Sequence, residues 1–190
     1  MWSKGEGPHI RRETTIAPPD SDSVLHSTAV ERWFVELRDP IFRYLRTSGC
    51  SCDLAEEITQ ETFLRLQRTL REEAVLNDVR AWLFRVARNL WIDSKRDNRR
   101  YGPTLDGNHS ADLECRDSEP DPEQQLIHRE RIRLMDQAIA RLPKLQRECV
   151  RLKAQGLRYH EIADALGISM TAAVDCVRRA LKRLGGQFHD

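Results

Sequence analysis

The chain has 190 residues, which at roughly 150 residues per domain gives one medium domain or two small ones and excludes a large multi-domain enzyme. Charged residues make up 32%, and 31 Lys+Arg stand against 30 Asp+Glu for a net charge of +1, so overall charge neither demands nor excludes a polyanionic partner. No apolar run approaches the roughly 20 residues that span a bilayer, and Pro8, Arg11, Arg12, Glu13, Pro18, Pro19, Asp20 and Asp22 interrupt everything before residue 24. A protein without signal peptide or membrane insertion, located in the cytoplasm, is expected.

Residues 1–27 hold breaker clusters and little apolar content and read as a flexible N-terminal tail. Helical spacing begins at Ala29. Val30, Trp33, Phe34 and Leu37 share one face, and Pro40 is expected to restart a second helix with Ile41, Tyr44 and Leu45 up to Gly49. Asp53 is the expected cap of the next helix, whose stripe is Leu54, Ile58, Phe63, Leu66 and Leu70. Asn77 or Asp78 opens another, with Val79, Trp82, Leu83, Val86 and Leu90 at three- and four-residue steps. Residues 28–101 thus form a helical domain.

Periodicity stops between Pro103 and Glu123, where Gly, Pro, Asn, Ser and Asp dominate, so 102–122 is a linker. Asp121-Pro122 marks a new helix start, with Leu126, Ile132, Met135, Ile139 and Leu142 as its stripe. Three short helices follow: 143–155 closed by Gly156, 159–166 closed by Gly167, and one from a Ser169 cap to about Leu184. Strand-like alternation is absent. The expected fold class is all-α, two small helical domains, 28–101 and 123–190, joined by an acidic flexible linker.

Near-neutrality hides strong local charge. Residues 79–100 carry Arg80, Arg85, Arg88, Lys95, Arg96, Arg99 and Arg100 against Asp93 and Asp97. Residues 151–186 carry Arg151, Lys153, Arg158, Arg178, Arg179, Lys182 and Arg183 against Glu161, Asp164 and Asp175. Conversely, residues 53–61 hold Asp53, Glu56, Glu57 and Glu61 with no Lys or Arg, and residues 103–123 hold seven acids against Arg116. Either basic tract alone is also what a solvated helix face looks like. The second has more: Tyr159 to Ser169 reads as two helical turns, a glycine-closed turn and a Ser-capped helix with Val174, Val177, Leu181 and Leu184 inward, the helix-turn-helix plan. Its outer side presents Ala172, Asp175, Cys176, Arg179 and Arg183, flanked by Thr171, Arg178 and Lys182, toward a major groove. In the first tract Trp82, Trp91 and Asn89 lie among arginines. Trp82 suits core packing, but aromatic faces near cations also suit unstacked bases, at roughly 1–3 kcal/mol per stacked base.

Five cysteines (Cys50, Cys52, Cys115, Cys149, Cys176) include no C-x-x-C pair, which argues against a disulfide framework or zinc ribbon. Cys50, Cys52, His109 and Cys115 could be drawn together, but they lie in different segments, so no metal and no cofactor are expected. No Ser/His/Asp set, carboxylate pair in a pocket or Gly-rich phosphate loop points to an enzyme.

Asp53-Leu-Ala-Glu-Glu-Ile-Thr-Gln-Glu-Thr-Phe-Leu-Arg-Leu66, Val79-Arg-Ala-Trp-Leu-Phe-Arg-Val-Ala-Arg-Asn-Leu-Trp-Ile-Asp93, and Leu142-Pro-Lys-Leu-Gln-Arg-Glu148 with the helix-turn-helix resemble bacterial RNA polymerase sigma factors of the extracytoplasmic-function (ECF) group, in the sigma-70 family. The resemblance spans about residues 28–186. It implies a transcription initiation factor whose partners are core RNA polymerase, promoter DNA as duplex and as single strand, and an anti-sigma factor. By resemblance, Asp53, Glu56, Glu57, Gln60 and Glu61 of region two dock on the clamp helices of the largest polymerase subunit. Trp82, Arg85, Arg88, Asn89, Lys95, Arg96 and Arg99 open and read the minus-ten element. Region four reads the minus-thirty-five element through Ser169, Thr171, Ala172, Asp175, Arg178, Arg179, Lys182 and Arg183, while its other faces meet the polymerase flap. The acidic linker corresponds to the segment that threads toward the RNA exit path. One departure is Val174-Asp175-Cys176, where the family often carries Lys or Arg. A stand-alone helix-turn-helix repressor would leave the acidic helix and the tryptophan-arginine helix without a purpose, and core-polymerase binding separates the two; transcription from a cognate promoter separates a sigma factor from an anti-activator that only resembles one.

Overall fold

The computed structural model describes residues 21–72, 74–100 and 122–186. The first 20 residues of the expected tail and nearly all of the expected linker lie outside them. Seven helices and no strand occur among the described residues: α1 (Ser21–Thr47), α2 (Cys52–Arg71), α3 (Val79–Arg100), α4 (Pro122–Ala140), α5 (Lys144–Ala154), α6 (Tyr159–Leu166) and α7 (Met170–Gly186). The all-α expectation holds.

Two local expectations are corrected in α1. The helix already begins at Ser21, within the expected tail, and it runs through Pro40 instead of restarting there. Pro40 removes the N–H that would bond the Glu36 carbonyl, at a cost of about 3 kcal/mol. Leu37, Ile41, Tyr44 and Leu45 are fully buried on both sides of it, and at about 1.5–3 kcal/mol for each large side chain this burial outweighs the missing bond. The helix ends where Gly49 takes φ 88° and its N–H donates to the Arg46 carbonyl.

The start of α2 is corrected as well. Ser51 occupies the cap position, and Asp53 sits in the first turn, where its carboxylate faces the positive end of the helix dipole. Thr59 and Thr62 are buried in the same helix and each hydroxyl donates to the carbonyl four residues back, Ala55 O at 2.6 Å and Ile58 O at 2.7 Å. In α3 the expected opening residue holds: Asp78 Oδ1 accepts the Ala81 N–H at 2.9 Å. Glu161 accepts the Arg158 N–H at the start of α6, Gly167 closes that helix at φ 67°, and Ser169 Oγ accepts the Ala172 N–H at 3.1 Å to start α7.

The buried stripe of α7 is Ala173, Val177, Ala180 and Leu184, so Leu181, expected inward, is instead 57% exposed. Small alanines at 173 and 180 bring α7 close to α5 and α4, and Leu181 falls one helical step outside that contact. Met135 of α4, also expected inward, is exposed because contact with α7 is made by Ala138 at the end of α4 and by Leu142 in the turn after it.

One buried cluster runs through both halves of the chain, from Leu37, Tyr44, Leu66 and Phe84 in α1–α3 to Cys149, Leu152, Leu157 and Ile162 in α5–α6. The second half therefore lies against the first, α6 on α3 and α5 on α1. This packing decides which of the charged tracts meets solvent.

Candidate nucleic-acid and polymerase interface

The acidic tract lies along the solvent side of α2. Asp53, Glu56, Glu57 and Gln60 are exposed, because Ala55, Ile58, Thr59 and Thr62 take the inward positions between them. Glu61 differs from the sequence expectation of an acidic run without counter-ions: Arg65, one turn on, donates to it at 2.8 Å and holds its carboxyl below the usual range. The uncompensated part of the face is thus Asp53, Glu56, Glu57 and the adjoining Gln60.

The basic α3 divides along its length. Trp82 is half-buried and packs on the core, so its indole braces the helix base. Asn89 is exposed. Farther along, the Lys95 ammonium stands over the Trp91 ring at 4.3 Å, and Arg96 pairs loosely with Asp93 at 3.8 Å. Arg99 lies near the C-terminal end of α3, and its side chain is outside the described set. Arg85 and Arg88 are tied to the other half of the chain: the Arg85 guanidinium, though exposed, donates through Nε at 2.9 Å and also through NH2 to the Asp164 carbonyl of α6, and half-buried Arg88 has its Nε 3.5 Å from Glu148 Oε2 of α5.

Glu148 is the centre of this inter-half contact, a role that its place at the end of the Leu142–Glu148 motif does not foretell. Tyr44 Oη of α1, in a fully buried side chain, donates to Glu148 Oε2 at 2.8 Å across 104 positions of sequence. Arg88 and Arg151 flank the same carboxylate, Arg151 at 3.6 Å, and the three charged side chains are only 15–23% exposed. Burial, reinforced by the neighbouring carboxylate, holds the Tyr44 phenol well above its ordinary 10.0, and burial draws the Arg151 guanidinium down. The Nε atoms of both arginines are buried without a hydrogen-bond partner. Two cations on one carboxylate leave the cluster with surplus positive charge.

A second bridge joins Asp78 to His160 of α6 at 3.6 Å, with Glu161 alongside; the three ligand atoms lie within 4.8 Å of one another. Both carboxylates already cap helix N-termini, whose positive dipole ends oppose a cation there. Arg43 adds a longer contact to Gln155 at 3.4 Å.

On α7, Thr171, Arg178, Arg179 and Lys182 are exposed, and Ala172 and Asp175 are half-buried. The Ser169 hydroxyl is committed to its cap. Arg183 is exposed but turns one guanidinium nitrogen to Gln146 of α5 at 2.9 Å, and Asp175 accepts from Arg178 at 2.8 Å one turn on. Cys176 packs on the core cluster and does not stand on the outer side as expected.

Residues 33–101 match the family described as Sigma-70 region 2, and residues 132–184 match Sigma-70, region 4. The chain is 30% identical over 164 residues to the ECF RNA polymerase sigma factor BldN of Streptomyces coelicolor, covering 85% of this chain and 61% of that protein. It is 32% identical over 148 residues to the ECF RNA polymerase sigma factor RpoE of Cereibacter sphaeroides, covering 74% and 76%. The sigma factor RpoE of Bartonella quintana, solved with the anti-sigma factor NepR, shares the fold with a TM-score of 0.57 at 21% identity over 83% of this chain and 94% of that one.

Proposed function

This chain belongs to the ECF group of the sigma-70 family, proteins that direct core RNA polymerase to promoters, and we propose that it does so with two separately placed DNA-reading surfaces. In this reading residues 28–101 form the region-two domain, 123–190 the region-four domain, and 102–122 the acidic connection between them. Asp53, Glu56, Glu57, Gln60 and Glu61 meet the clamp helices. Asn89, Lys95, Arg96 and Arg99, with Arg85 once released from Asp164 and Trp82 and Arg88 once they are uncovered, handle the melted minus-ten strand. Thr171, Arg178, Arg179, Lys182 and Arg183 contact the minus-thirty-five duplex, with Ser169 and Ala172 at the entering end of α7. The protein acts as a non-enzymatic specificity subunit in the cytoplasm, and an anti-sigma factor is a further partner, as NepR is for the Bartonella quintana protein.

The observation that carries the reading is the uncovered acidic face of α2, which stands beside a basic helix and whose exposed Glu56 and Glu57 have no ion-pair partner among the described residues. Like charges crowded on one helix face destabilise it by a few tenths of a kcal/mol per pair, so a complementary surface elsewhere accounts for them better than folding does. Pull-down with purified core enzyme tests it. Glu57→Lys with Asp53→Lys should weaken binding while far-ultraviolet circular dichroism stays helical, and unchanged binding would remove α2 from the polymerase interface. Sequencing transcripts after overexpression then identifies the promoters, and run-off transcription with core enzyme distinguishes this role from that of a repressor.

A further inference from the structure

Where α3 and α5 face each other they enclose a cleft of about 550 Å³, within the size range of small-molecule sites. Its α3 wall carries Arg88, Lys95 and Arg96, and its α5 wall carries Lys144, Arg147 and Arg151. Among the described residues that line it, Glu148 is the sole acid, and that carboxylate already serves Tyr44, Arg88 and Arg151. Ser48 Oγ and the Nε atoms of Arg88 and Arg151 are buried there without hydrogen-bond partners. Lys144 opens α5, whose first turn has no side-chain cap and so turns unpaired N–H groups and the positive end of its dipole toward the same region.

We propose that this cleft is a binding site for a polyphosphate anion, inorganic or carried by a nucleoside, and that its occupancy holds the two halves together. Six cations on two walls repel one another across the cleft when it is empty, and a chain of linked phosphates supplies several acceptors at once to guanidinium forks and ammonium groups. A single strand of nucleic acid could use the α3 wall alone, but the α5 wall is in place only while the halves are packed. A ligand that needs both walls binds the closed arrangement and not the open one, so it stabilises closure by mass action. The inference rests on the packing of α5 on α1 and of α6 on α3, which sets α5 opposite α3, and is independent of how α2 or α7 meet their partners.

Isothermal titration of the full-length chain with sodium tripolyphosphate and with ATP, at low salt, tests it, with sulfate at matched ionic strength and a short single-stranded DNA as controls. Saturable binding of one equivalent is expected, weakened about tenfold or more by Lys144→Ala with Arg147→Ala, as fits the loss of charge-assisted bonds. Equal affinity for the two ligands assigns the phosphate chain, and tighter ATP binding assigns a nucleoside-linked one; both support the site. Circular dichroism of the double variant checks the helices, and small-angle scattering of the wild type should show a smaller radius with tripolyphosphate than without. No saturable heat, the same heat with sulfate, or undiminished binding in the double variant overturns the proposal. So does single-stranded DNA binding that displaces tripolyphosphate and is indifferent to Lys144 and Arg147, since the cations would then serve DNA. Each of these results leaves polymerase binding in the pull-down unaffected.

Discussion

The two basic helices α3 and α7 look alike as sequence and differ in the folded chain. Arg179 and Lys182 of α7 project into solvent, ready for phosphates, and Arg178 beside them is bonded only within its own helix, to Asp175. Arg85 and Arg88 of α3 are instead held by the Asp164 carbonyl and by Glu148, both from the other half of the molecule. Charge content tells which helix attracts a polyanion, whereas availability is set by a partner surface about 60 to 80 residues away in sequence. In the proposed promoter role, α7 can dock as it stands, while the base half of α3 must first be uncovered. The halves then separate at the cost of the Tyr44, Glu148, Arg88 and Arg151 contacts.

The largest way to break this contrast is Glu148→Ala. It strips the carboxylate from two mostly buried guanidinium groups and the acceptor from Tyr44, and removing one partner of a buried ion pair costs about 3–5 kcal/mol. Urea unfolding should show a loss near the lower end, since the groups keep some exposure, together with an expanded scattering profile. A loss under about 1 kcal/mol would show that this cluster does not hold the halves together.

Tyr44→Phe is the next step down. The ring and its edge contact with Phe84 remain while one hydrogen bond to a charged acceptor goes, for about 1.5–3 kcal/mol. Its pH signature has a definite sign. The folded phenol titrates above the 10.0 of the unfolded chain, so its contribution is fully present below pH 10 and is lost as pH rises from there through the folded value. Wild type should therefore lose its stability advantage over Tyr44→Phe in the alkaline range, and a constant difference between pH 8 and pH 11 would contradict the assignment.

On the open helix, Arg179→Ala should leave folding unchanged and lower the magnitude of the slope of log K against log salt for duplex DNA by about 1, the mark of one lost phosphate contact. An unchanged slope would take Arg179 off the interface. Asp175→Ala should cost folding little, about 0.2–1 kcal/mol for an exposed pair. Because Asp175 is bonded to Arg178, its removal frees that guanidinium and should raise affinity for unrelated DNA. A scan of single-base variants then separates two roles: an unchanged preference profile means that Asp175 orients Arg178, and a relaxed preference at one base pair means that it reads a base.

Helix positions were legible because their signals are local. Asp78, Gly167 and Ser169 set backbone conformation within a turn of themselves, and each appears where the sequence predicts. Pro40 was misleading for a related reason: local propensity favours a break, and burial of Leu37, Ile41, Tyr44 and Leu45 overrides it. Leu181 failed because helical periodicity gives an apolar arc without saying which edge of the arc the neighbouring helix covers. Glu148 closes the Leu142–Glu148 motif, yet nothing in that motif foretells its contact. It looks like one more acid on an amphipathic helix, and its meaning comes from Tyr44 and Arg88, which lie 104 and 60 positions earlier.

The sequence by itself determined the all-α architecture, the helix-turn-helix and the separation of charge into acidic and basic tracts, since periodicity, caps and net charge are properties of contiguous residues. Tertiary structure alone decided that α5 and α6 lie on α1 and α3, that a buried carboxylate joins them with one phenol and two guanidiniums, and that one basic helix is partly covered while the other is open. Those outcomes depend on side chains from distant segments sharing a low-dielectric interior, where a charge is tolerated only beside its partner, and no local pattern encodes that meeting.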